Sequence, residues 1–170
     1  MQEHIHVAKK SRIINQSLFI WVSVIVQIGF NIFTFSMDLT SDRIAALIFC
    51  NIILSLLSIP AIILFLKYYK HSIGKKFVIT YNSLKFIDEK TGEITELKNA
   101  DIERINLVAN RTASKLPWSS HEYFEFIDSK QNKIIVTSYF MDISDFWLDS
   151  LTRRVSTDNL IHEEKIYPIF

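Results

Sequence analysis

Two long stretches without a charged side chain dominate this chain of 170 residues and limit what it can fold into. The first occupies residues 18–37 and the second residues 44–66. As helices rising about 1.5 Å per residue, each spans roughly 30 Å or slightly more, the thickness of a bilayer's hydrocarbon core. A signal peptide has a shorter apolar stretch ending in a small-residue cleavage motif, and no such motif follows the first run. A soluble helical hairpin would need a partner able to cover two helices that are apolar all round, and too few residues follow the second run to do so. The sequence therefore predicts a two-helix transmembrane hairpin over 17–69, with spans of about 18–37 and 44–66.

The flanks orient it. Lys9, Lys10 and Arg12 precede the first span and Lys67, Lys70, Lys75 and Lys76 follow the second, whereas the connector holds Arg43, Asp38 and Asp42. Positive charge stays on the cytoplasmic side, so both ends are expected there, in a multi-pass protein of a bacterial inner membrane. Residues 1–16 form a cytoplasmic N-terminal segment on this reading. Abundant Ile, Phe, Lys and Asn agree with an AT-rich bacterial genome. Trp21, Tyr68 and Tyr69 are placed near the inner interface, where amphipathic rings are favoured. The four juxtamembrane lysines suit anionic lipid at about 1 kcal/mol each, although topology alone requires the same residues.

Inside the spans, Gln27 and Asn31 lie four residues apart, as do Asn51 and Ser55, so each pair marks one helix stripe. For a hairpin turning near residues 40 and 41, Asn31 falls level with Asn51 and Gln27 level with Ser55. Amides in hydrocarbon seek partners, which predicts that the stripes meet within one hairpin or between protomers. Neither span holds a carboxylate, His, Lys or Arg, so ion transport and proton relay lack their usual carriers.

Charge and composition exclude other functions. Residues 1–76 carry eight Lys and Arg against three acids, a net +5; the remainder carries eleven against fifteen, a net −4. An acidic second half does not suit nucleic acid. Cys50 is the lone cysteine, so no disulfide framework or Cys-rich zinc site is available. Glycines only at 29, 74 and 92 exclude a glycine-rich phosphate loop. His4 and His6 supply two of the three or four ligands that a metal site needs. Ser119, Ser120 and His121 lack any accompanying elbow or oxyanion motif. No cofactor, metal or catalytic residue is expected.

Beyond Gly74 the pattern changes to short alternating runs. Strands are predicted over 77–80, 84–88, 93–97, 102–109, 122–128 and 133–140, with turns at Tyr81-Asn82-Ser83, 88–92 and 129–132. Phe124, Phe126, Ile134, Val136 and Phe140 can share one core face. A closing helix is predicted from Asp142, with Ile143, Phe146, Trp147, Leu151 and Val155 on its apolar face. The fold class is thus an α+β membrane protein: a helical hairpin followed by a small antiparallel β-barrel or sheet capped by one C-terminal helix over 75–157, and a tail over 158–170. That tail is expected to pack on its own domain or to add a strand to a partner's sheet.

The strand order with one closing helix resembles the bacterial pleckstrin-homology-like (PH-like) domains found fused to small membrane hairpins. The segments that carry the resemblance are Phe77-Val-Ile-Thr-Tyr-Asn-Ser-Leu-Lys-Phe86, Leu97-Lys-Asn-Ala-Asp-Ile-Glu-Arg-Ile105 and Asp142-Ile-Ser-Asp-Phe-Trp-Leu-Asp-Ser-Leu151. The resemblance implies a barrel that serves as a binding or assembly module and not as an enzyme. Phosphoinositide-binding members carry a basic cluster in the first hairpin, where this chain has only Tyr81-Asn82-Ser83, so that specificity is not carried over.

The longest connection, 111–121, holds Arg111, Lys115, Leu116 and Trp118 and is the candidate binding loop. The leading expectation is a membrane-anchored module acting on a protein partner or on the inner membrane surface, with self-association through the hairpin as a further contact. The alternative is a membrane-resident immunity or stress protein whose hairpin recognises a toxin or another membrane protein.

Overall fold

The computed structural model describes residues 3–37, 40–109, 119–141, 160–165 and 168–170. The closing helix predicted from Asp142 and the candidate loop residues Arg111, Lys115, Leu116 and Trp118 lie outside the described residues.

Strand β1 (His4–Val7) comes first, followed by helix α1 (Lys10–Phe35) and helix α2 (Ser41–Ser72). Strands β2 (Lys75–Ile79), β3 (Ser83–Asp88), β4 (Ile94–Lys98) and β5 (Ile102–Ala109) then lead to β6 (Tyr123–Asp128), β7 (Lys133–Thr137) and β8 (Leu160–Glu164). Their 26 and 32 residues make α1 about 39 Å long and α2 about 48 Å. Both helices are long and apolar enough to cross a membrane. Gly74 stops α2: it takes the left-handed conformation (φ +71°) just past the cap, and its carbonyl accepts the Glu89 amide at 2.9 Å.

The strands form two four-stranded sheets, in the orders β1-β2-β3-β4 and β7-β6-β5-β8. Inner faces of the two sheets enclose one core built from Phe77, Leu84, Leu97, Leu107, Phe124 and Phe126, which Ile134, Val136 and Phe140 also join. A second core lies on the opposite face of the second sheet. There Val108, Tyr123 and Tyr139 pack against Ile20 of α1 and Ala61, Leu64 and Tyr68 of α2. The second sheet is therefore covered on both faces, which is why residues 105–109 of β5 are buried without alternation.

Several features refine or differ from the sequence reading. The sheets are open, with no closed barrel among the described residues, and β8 pairs with β5 in parallel, so the arrangement is not purely antiparallel. Residues 4–7, expected in a separate N-terminal segment, instead pair with β2, His4 opposite Ile79 and Val7 opposite Lys76. A four-residue strand is too short for its alternation to stand out in a polar context. Residues 160–164 of the tail, expected to pack on its own domain, do so as a strand, β8, of the chain's own sheet. Tyr68, expected at a lipid interface, is fully buried in the second core, whereas Tyr69 beside it is exposed.

Candidate functional site

Three arrangements converge along the helices. The first is a hydrogen-bonded ladder between α1 and α2. Asn31 donates through Nδ2 to Asn51 Oδ1 (3.0 Å), and Asn51 Nδ2 donates back to Asn31 Oδ1 (2.8 Å). Gln27 Nε2 donates to Asn51 Oδ1 (3.1 Å) and to Ser55 Oγ (3.4 Å). The two asparagine amides also donate to the carbonyls one turn earlier, Gln27 and Leu47. The structure thus brings Gln27, Asn31, Asn51 and Ser55 together within one hairpin. Around this polar seam the side chains facing away are apolar and exposed, among them Ile25, Ile28, Ile32 and Phe33 on α1 and Ile48, Phe49, Ile52 and Leu56 on α2. A groove of about 590 Å³ runs along α2 between Leu47 and Pro60, bordered by Ile48, Ile52, Leu56 and Ile59.

The second arrangement is the foot of the hairpin, fastened to the second sheet by specific polar bonds. The Ser72 and Thr137 hydroxyls meet at 2.7 Å, and His71 Nε2 lies 3.0 Å from the Ile135 carbonyl. On α1, Gln16 Nε2 donates to the Ser120 carbonyl and the Ser138 hydroxyl, each at 3.1 Å, and the Lys9 amide donates to the Tyr139 carbonyl at 3.0 Å. His121 is buried edge-on against Tyr68, with ring centres 5.0 Å apart, so this imidazole is part of the packing, whereas Ser120 before it is exposed. Tyr139 is fully buried, and its hydroxyl has no hydrogen-bond partner among the described residues; burial pushes its phenol pKa up.

The third is a clasp formed by the last residues described. Tyr68 donates its hydroxyl to the Pro168 carbonyl at 2.9 Å, and Lys67 Nζ contacts the main-chain oxygen of Phe170. The Phe170 ring lies 5.2 Å from Tyr68, 4.9 Å from His71 and 5.3 Å from Tyr123, with Lys67 Nζ 5.1 Å from its centre.

The clasp changes the reading of the juxtamembrane lysines, which do not form one basic patch. Lys67 engages Phe170, Lys75 pairs with Asp88 at 3.6 Å and sits over the Phe86 ring, and Lys76 pairs with Glu89. Of the four, Lys70 is exposed and the other three are half-buried. Sequence reasoning missed the acids because they lie a strand away, and only the β2–β3 register places Asp88 opposite Lys75.

The β2–β3 turn is tight, with Thr80 Oγ1 donating to the Ser83 carbonyl at 2.8 Å. Beside it opens a pocket of about 680 Å³ bordered by Tyr81, Asn82, Glu96, Lys98 and Asn99. Its lining holds one lysine and one glutamate, the latter paired with Lys85 at 3.4 Å, a poor cradle for a multiply charged headgroup. Among the described residues no group of three or more His, Cys, Asp or Glu side chains is placed to hold a metal.

Two sheets enclosing a core, with helices inserted after the first strand, define a binding-module scaffold. A family model described as a PH domain matches residues 5–147, and the chain belongs to that family. The match starts inside β1 and runs through both helices, in agreement with β1 belonging to the first sheet. PH domains are generally non-catalytic modules that bind lipids or proteins. A search of curated proteins finds no match to this chain.

Proposed function

We propose that this chain is a PH module anchored in a bacterial inner membrane by its helical hairpin, with both ends cytoplasmic and its soluble face engaging a protein partner or the membrane surface. The inverted polarity of the stalk carries this reading: amides pair inside, while large aliphatic and aromatic side chains point outward along both helices. In water such a continuous apolar surface drives aggregation, whereas in hydrocarbon it costs nothing and the paired amides meet the need for internal satisfaction. The lysine-rich flanks support cytoplasmic ends. The neutralised lysines favour recognition through shape and aromatic contacts over recognition of a basic patch.

Cell fractionation with single-cysteine labelling tests the anchor in a Cys50→Ser background. The protein should resist salt and carbonate extraction. A cysteine at Thr91 should react with an impermeant maleimide only after the membrane is opened, and one at Ser41 should react from outside. A monodisperse aqueous species obtained without detergent, or external labelling at Thr91, overturns the proposal.

A further inference from the structure

The second core covers only one side of the helix feet. Ser17 and Ile20 of α1 and Ala61, Leu64 and Tyr68 of α2 are buried. At the same levels Ile14 and Leu18 on α1 and Ile63 and Leu66 on α2 are each more than half exposed. On α2 this apolar strip joins the stalk surface through exposed Ile59, and on α1 Leu18 joins it through Val22, with the exposed Asn15 beside Ile14. The strip stops at Arg12 and Lys67, the first charges met on each helix from the stalk side. The second sheet therefore stands beside the feet of the helices and not below them.

Length decides what covers the strip. On α2 Leu57 still packs against the second core and Ser58 is buried, so the free stalk runs from residue 21 to 37 on α1 and from 44 to 56 on α2, about 20–25 Å. A bilayer's hydrocarbon core is about 30 Å thick, so the stalk falls short by roughly one to two helical turns. The turns that make up the difference carry Leu18 and Ile63, which already present apolar side chains outward.

We propose that the bilayer extends past the rim of the domain on this side: Leu18 and Ile63 contact acyl chains, Ile14 and Leu66 lie in the headgroup layer, and the adjoining edge of the second sheet is seated among headgroups. The groups at that rim suit a headgroup depth: Gln16 donates to the Ser120 carbonyl and to the Ser138 hydroxyl, and Ser138 also meets the Glu122 main chain. The seating fixes how close the module's surface lies to lipid and restricts its tilt. It rests on the membrane reading above, and the test separates the two.

Single cysteines at Ile14, Leu18, Ile63 and Leu66, with Ile28, Ile52 and Thr91 as references, are introduced into the Cys50→Ser chain. Each is spin-labelled and reconstituted in dioleoylphosphatidylcholine vesicles. All seven positions are exposed, so the label disturbs neither core. Collisions with oxygen, which partitions into hydrocarbon, are compared with collisions with a water-soluble nickel chelate. Leu18 and Ile63 should favour oxygen several-fold, as Ile28 and Ile52 do, with Ile14 and Leu66 intermediate and Thr91 favouring nickel. Nickel preference at Leu18 and Ile63 with oxygen preference kept at Ile28 and Ile52 overturns the seating and leaves the anchor standing. Protection of Leu18 and Ile63 from both reagents also overturns it, in favour of a second copy covering the strip. Nickel preference at Ile28 and Ile52 as well overturns the anchor itself.

Discussion

Helix α2 has two halves that look alike in sequence and meet different surroundings. From Ile44 to Leu56 most of its aliphatic side chains, Ile48, Ile52, Ile53 and Leu56 among them, are exposed, and the Asn51 amide turns toward α1. From Ala61 to Ser72 one side is sealed against the second sheet, with Ala61, Leu64, Tyr68 and Ser72 fully buried at intervals of three and four residues. Leucine occurs in both halves, so hydropathy does not distinguish a residue that faces lipid from one that faces protein. The distinction lies in the residues interleaved with the aliphatics. Asn51 and Ser55 mark the seam toward another helix, whereas Tyr68, His71 and Ser72 mark a junction with strands that offer carbonyls, hydroxyls and rings.

Paired leucine truncations give the sharpest way to break this comparison. Leu64 is 0% exposed and Leu56 is 65% exposed on the same helix. Leu64→Ala leaves a cavity in the second core and should cost about 2–5 kcal/mol. Leu56→Ala removes only an outward side chain and should cost within about 0.5 kcal/mol. Denaturant unfolding in a mild detergent, followed by tyrosine and tryptophan fluorescence, measures both. Equal losses would mean that the two halves share one environment.

The seam of the outer half carries the next effect. Asn51 is the hub of the ladder, accepting from Gln27 and Asn31 and donating to Asn31. Replacing it with Leu leaves the Asn31 side-chain oxygen without its donor and takes an acceptor from both Gln27 and Asn31, which should cost about 0.6–2 kcal/mol, the range of interhelical polar contacts in membranes. A double-mutant cycle of Asn31→Leu with Asn51→Leu should recover much of the loss, because it removes both unpaired groups. Strict additivity would show that the two amides do not meet.

A smaller effect of opposite sign is expected in the inner half. Tyr139 keeps a buried hydroxyl without a hydrogen-bond partner among the described residues, while its ring packs 5.9 Å from Tyr68. Tyr139→Phe keeps the ring and removes the stranded group, so stability should rise by about 1 kcal/mol or stay level. A clear loss would reveal a partner for that hydroxyl, such as a bound molecule, and is worth measuring with membranes present.

How much of this was legible in the sequence follows from which interactions are local. The strands from 77 onward announce themselves by alternation and by turn residues, and β5 matches residues 102–109 as read. The depth calculation for Asn31 and Asn51 needed only a turn position and a helical rise. Pairing between distant segments was not legible: β1 reaches β2 across the whole hairpin, and β8 reaches β5 in parallel. The resemblance seen in the sequence accordingly started too late, at residue 77, because the first strand is separated from its sheet by two helices. The clasp at Phe170 was equally invisible, since it is assembled from α2, β6 and the end of the chain.

Acid separates the two environments by charge instead of packing. No ionisable side chain other than Cys50 occupies residues 18–37 or 44–66, so the ladder should be indifferent to pH in the acid range. The β6–β7 turn is different, because Asp128 accepts the Asn132 side-chain amide at 2.8 Å and the main-chain amides of Lys130 and Asn132 at 2.9 and 2.8 Å. These donors, the Asn132 side chain foremost, hold the Asp128 carboxyl below the usual carboxylate range. A carboxyl depressed in the folded state contributes stability above its unfolded pKa of about 3.9 and loses it as pH falls through the lower folded value. The turn also keeps Gln131 in the left-handed region (φ 65°), a conformation that depends on those bonds. Asp128→Asn should therefore flatten the acid limb of domain stability below about pH 4, leaving the Leu56 and Leu64 contrast at neutral pH untouched. Hydrogen exchange of the β6 and β7 amides against pH reads this directly, and an unchanged acid limb would remove Asp128 as the titrating group.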